Sequence, residues 1–114
     1  MNNINISEIR KCLNELSDIK LQRRLWLSDG ADGVDVSSFA EAVEQLFTDT
    51  GLAGLLQDGA TGFEDETDAA FSALQLALRR VDARGGPART IDDPAMTEVR
   101  AIAKYLLKLL PNPA

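Results

Sequence analysis

Asp29, Asp32 and Asp35 fall in one glycine-containing stretch, Asp29-Gly30-Ala31-Asp32-Gly33-Val34-Asp35, whose residue types could ligate calcium. A helix–loop–helix calcium site needs oxygen ligands at loop positions one, three and five, glycine at six and a bidentate glutamate at twelve. With Gly33 at six, the first three ligand positions are Ser28, Gly30 and Asp32, and position twelve is Phe39. With Glu41 at twelve, Asp35 stands where the glycine is needed. Neither register works, so the stretch reads as a solvated turn in which Asp and Gly supply special backbone geometry.

Other catalytic chemistry has little to build on. The chain has no histidine, which removes the commonest general base, the Ser-His-Asp arrangement and most catalytic zinc sites. No nucleophile elbow and no glycine-rich phosphate loop is present, since Gly51, Gly54 and Gly59 match neither nucleotide fingerprint. The single cysteine, Cys12, sits on the apolar face of a helix and reads as a structural thiol, because free cysteine is among the most buried residue types. A carboxylate metal pair would have to join Glu64, Asp65 and Glu66 to Glu41 and Glu44. The Glu-x-x-His element of a ferritin-like di-iron site is absent. No metal, no cofactor and no catalysis is therefore expected.

Charge is distributed unevenly. Between Leu25 and Leu78 there is no lysine or arginine but there are eleven acids, and all twelve basic residues lie outside, five before and seven after. A net charge of −6 argues against nucleic acid and anionic membrane surfaces, both of which require a basic footprint, and suits a basic protein partner. Part of the acidity has an intrachain role. Glu64, Asp65 and Glu66 at the start of one helix, with Arg79, Arg80 and Arg84 at its end, complement the helix dipole at about 0.3–1 kcal/mol each.

The elements that must position these groups are helical, because the apolar set is rich in Leu and Ala and poor in β-branched residues. Ile9, Cys12, Leu13 and Leu16 mark one face of a helix over 7–16, with Asn5 and Glu8 as its capping box. Residues 19–27 read as a second helix capped by Ser17 or as a short strand, and 28–37 as a loop. Ser38-Phe39-Ala40-Glu41 caps a helix carrying Phe39, Val43, Leu46 and Phe47, which Gly51 ends in a left-handed C-cap. A short helical turn follows at Leu52, Leu55 and Leu56, before Asp58-Gly59. Thr61-Gly62-Phe63-Glu64 is a further capping box for the longest helix, over 62–83 and stopped by Gly85-Gly86-Pro87. After a loop, Asp93-Pro94 opens a last helix that Pro111 ends. The expectation is a single all-α domain over 1–114, a small bundle of four to five helices. No stretch reads as a signal peptide or membrane span, which points to the cytoplasm.

Two likenesses bear on function. Arg24-Leu25-Trp26-Leu27-Ser28, then Val36-Ser37-Ser38-Phe39-Ala40-Glu41-Ala42-Val43 and Leu46-Phe47, resemble small uncharacterised bacterial proteins. In size, acidity and helical content the chain is similar to immunity proteins that neutralise basic nuclease toxins. That similarity implies a non-catalytic binding module presenting a negative face to a basic protein. Its candidate contact residues are Trp26, Asp29, Asp32, Asp35, Glu41, Glu44 and Asp49, the acids to steer encounter and Trp26 to anchor, although core packing is the ordinary role of a lone tryptophan. The alternative is a structural subunit forming a homodimer through its C-terminal helix, where Leu106, Leu107, Leu109 and Leu110 cannot all face one way.

Overall fold

Asn5 Oδ1 accepts a hydrogen bond from the Glu8 N–H at 3.0 Å and starts α1, Ile6–Ser17. The structure, a computed structural model, describes residues 4–28 and 37–111. Along α1 the periodic face is realised: Ile9, Cys12, Leu13 and Leu16 are all buried. The chain breaks at Asp18, in extended conformation, and Asp18 rather than Ser17 caps α2, Ile19–Trp26, by accepting from the N–H groups of Lys20 and Leu21. Residues 19–26 are thus helix, not strand.

Ser38 Oγ accepts from the Glu41 N–H at 3.1 Å and opens α3, Phe39–Glu44, which runs directly into a π-helical turn, Gln45–Asp49. Gly51 then takes the left-handed conformation (φ 77°) that the sequence led us to expect, and α4, Leu52–Asp58, follows. The entry to α5, Asp65–Arg79, departs from expectation. Thr61 makes no capping box with Glu64. Its hydroxyl instead accepts from the Phe63 N–H and donates to Asp68 Oδ1, bracing a turn at Gly62 (φ 79°) so that the helix starts three residues later. The helix also stops short of 83, because the Asp82 N–H is taken by the Asp93 carboxylate instead of a helical carbonyl.

The stretch expected to be a loop holds α6, Pro87–Asp92, with proline in its first turn and Ile91 buried. Asp93 Oδ1 then caps α7, Pro94–Leu109, through the Ala95 N–H. The described residues form seven α-helices and one π turn, with no strand. The all-α class holds. The expected count of four to five is too low, because the turn at Leu52, Leu55 and Leu56 is a full helix, α4, and because α6 buries one apolar residue, Ile91, too few to show a helical period in sequence.

α7 is the spine, packing along α1 on one side and α5 on the other. Met96, Val99, Ala103, Leu106 and Leu110 are buried in those contacts. A helix covered from two sides needs apolar residues on more than one face, which accounts for the leucine distribution near its end. Arg10 closes that end by donating from its guanidinium to the Leu107 and Leu110 carbonyls. No helix among the described residues is long and apolar enough to cross a membrane.

Candidate functional site

α3 lies on α1 and stands as a ridge with a depression on each flank. Its helical period divides the residues: Ala42 and Leu46 face inward, Phe39, Val43 and Phe47 face α5, and Glu41 and Gln45 face α1 and α2. On the α5 side is an apolar groove of about 250 Å³, walled by Phe39, Val43 and Phe47 opposite Gln75, Leu78 and Arg79. On the other side is a polar cleft of about 400 Å³, bordered by Lys11, Glu15, Arg24, Ser37 and Glu41. Ala40, Glu44 and Thr48 form the exposed crest between them.

Glu41, Glu44 and Asp49, predicted from sequence as contact residues, are brought together on this ridge, and all three are exposed. The ion pairs among the described residues are Arg80 with Glu98 and Arg84 with Asp82, both outside the basic-free stretch. The ridge acids therefore make no ion pair among the described residues, although Lys11 and Arg24 border the cleft on the Glu41 side. Their field is directed at solvent, the arrangement that attracts a cationic surface. Asp29, Asp32 and Asp35, the other predicted acids, lie outside the described residues, as does the stretch tested for calcium. The described residues contain no group of three or more candidate metal ligands.

Trp26 requires a correction. It is 4% exposed, and its Nε1–H donates to Glu15 Oε2 at 2.8 Å. Its ring meets Phe39 edge-on, with centroids 6.0 Å apart. A buried indole needs an acceptor for its N–H, and Glu15 supplies one, so Trp26 is a core residue and not a surface anchor. The aromatic of the ridge that reaches the surface beside Trp26 is Phe39, half-buried between the groove and a second hollow of about 210 Å³ beside Pro87.

Glu15 is the residue that sequence reasoning missed. It is only 7% exposed, and the same Oε2 also accepts from Ser37 Oγ at 2.8 Å. Two neutral donors, with no cation in salt-bridge contact, hold this carboxylate at the edge of the polar cleft. The only signal in sequence is its place one turn after Cys12, on the margin of the apolar face. Cys12 is buried, and desolvation, helped by the negative charges of Glu8 and Glu15, pushes its thiol up to about 11. That is the wrong direction for a nucleophile.

Fold and surface together define a class, a small all-α protein with an exposed acidic ridge beside an apolar groove. No family model matches the chain, and no curated protein or solved structure matches it.

Proposed function

We propose that this protein is a non-catalytic binding module whose α3 ridge receives a basic protein partner. The observation that carries the reading is the set Glu41, Glu44 and Asp49, exposed on one short segment without an ion pair, directly beside an apolar groove. Acids of this kind speed encounter and set orientation, while an apolar depression supplies the contact that slows dissociation. The π turn inside the segment adds support, because such turns recur at functional sites. The most concrete form of the proposal is an immunity protein that occludes a basic toxin, acting in the cytoplasm without metal or cofactor.

The test is kinetic. A partner retained by the immobilised protein from its native cell is measured for association rate at low and high salt, against wild type and the triple variant Glu41→Gln, Glu44→Gln, Asp49→Asn. The rate is expected to fall roughly tenfold or more with salt for wild type, and to start lower and vary less for the variant. Equal rates for the two proteins at low salt would sink the proposal.

The second reading, self-association through the C-terminal helix, draws less support. α7 spends Leu106 and Leu110 inside the molecule and leaves Tyr105, 43% exposed, as its large apolar surface residue.

A further inference from the structure

α5 turns Phe71, Leu74, Ala77 and Leu78 inward and packs along α7. Its outer side is uncovered, and it carries Leu76, at 54% the most exposed large apolar residue in the described structure. Asp65, Ala69, Ser72, Leu76 and Arg79 recur at spacings of four and three residues and are all exposed, so they form one line along the helix. Asp65 and Arg79 end that line with opposite charges, each seven residues from Ser72. Neither takes part in an ion pair or a side-chain hydrogen bond among the described residues.

We infer that this face of α5 pairs with α5 of a second copy, antiparallel, about a two-fold axis near Ser72. The line is its own electrostatic complement. Turning a copy end over end sets each Asp65 against the other chain's Arg79, while the same operation lays each Leu76 beside the other chain's Ala69, one on either side of the axis. Ala69 and Ser72 are small enough to let the two backbones approach. A partner of single charge sign would satisfy one end of the line and repel the other, which is why a second copy fits best. The groove along α3 continues the apolar surface on the Gln75 side of the same helix. A standard interface buries about 1,600 Å² in total, and one helix pair of this length offers less, so the dimer should be weak, dissociating in the micromolar range. The acidic α3 crest stays outside the contact; Arg79 also borders the groove along α3, whereas Asp65, Ser72 and Leu76 do not, so Leu76→Glu tests the dimer apart from the proposed partner site.

Sedimentation equilibrium over a wide concentration range tests it, with circular dichroism confirming that each variant is folded. Wild type should show a monomer–dimer equilibrium, and Leu76→Glu should raise the dissociation constant about tenfold or more. Asp65→Arg and Arg79→Asp should each be monomeric alone, because each places like charges at both ends of the pair. Mixed in equal amounts they should form a heterodimer, since both ends are then complementary again. A monomer at every concentration overturns the inference. So does a dimer that survives Leu76→Glu, or one that Tyr105→Glu alone dissolves, or a mixture that stays monomeric.

Discussion

Gln22 on α2 and Arg100 on α7 are joined across the core, the Arg100 Nε–H donating to Gln22 Oε1 at 3.1 Å. Gln22 is fully buried, and its Nε2 donates to the Glu15 and Leu16 carbonyls at the end of α1. Arg100 reaches on to the Ile91 carbonyl at the end of α6. The amide and the guanidinium together tie the ends of α1 and α6 to the middle of α7, and the amide leaves none of its own polar atoms unsatisfied.

Replacing Gln22 with alanine removes partners from two helix-end carbonyls and from a guanidinium that burial already disfavours as a cation. A buried group left without a partner costs about 1–3 kcal/mol. The expected loss for Gln22→Ala is on the order of 3 kcal/mol, read as a lower urea midpoint. Lys104→Ala, an exposed change on α7, should shift the midpoint far less.

Glu15→Leu removes the acceptor shared by Trp26 Nε1 and Ser37 Oγ. The indole N–H is then buried without a partner, at about 1–3 kcal/mol. The near-ultraviolet dichroism of the lone tryptophan should change with the loss of stability. Glu15→Gln keeps an acceptor oxygen and should retain most of both. Equal damage from the two substitutions would show that the carboxylate's charge, rather than its hydrogen bonds, holds this corner.

Cys12 gives a pH prediction with a definite sign. Burial raises the thiol from 9.0 to about 11 in the folded protein. Below pH 9 the thiol is protonated in both states and contributes no slope. From there upward the unfolded chain loses its proton first, so stability falls as pH rises toward 11. Cys12→Ala removes this contribution, and its stability should decline less over the same interval than that of wild type. Native Cys12 should also resist thiol reagents at neutral pH and react on unfolding.

Gly51 and Gly54 are three residues apart and should respond oppositely to alanine. Neither has an atom within 4 Å of an added Cβ. Gly51 has φ 77°, where an L side chain is strained, and Gly51→Ala should cost about 1–2 kcal/mol. Gly54 lies within α4 at an ordinary helical position, and Gly54→Ala should stabilise by up to about 1 kcal/mol. Thermal melts of both variants provide the check.

Helix starts were legible where a single side chain decides them. Asn5, Ser38 and Asp93 cap their helices as their positions in the sequence indicate, because a cap is a bond across two or three residues. Thr61 has the same local pattern and was misread, since Asp68, seven residues away, competes for its hydroxyl. The exposure of Glu41, Glu44 and Asp49 without an ion pair was also legible, because no cation lies near them in sequence; that Lys11 and Arg24 border the cleft beside Glu41 was not.

The sequence by itself determined the all-α class, most of the caps and the cation-free segment, since each is a matter of composition or of contacts within one helical turn. Tertiary structure decided the fate of the side chains. Trp26 and Glu15 meet through the turn from α1 to α2, and that contact moves a predicted surface aromatic into the core and hides a carboxylate. Which leucines of α7 are covered, and which face of α5 is left open, depends on helices packed from far along the chain. Helical spacing records that a residue lies on a given face, but not whether another helix will arrive to cover it.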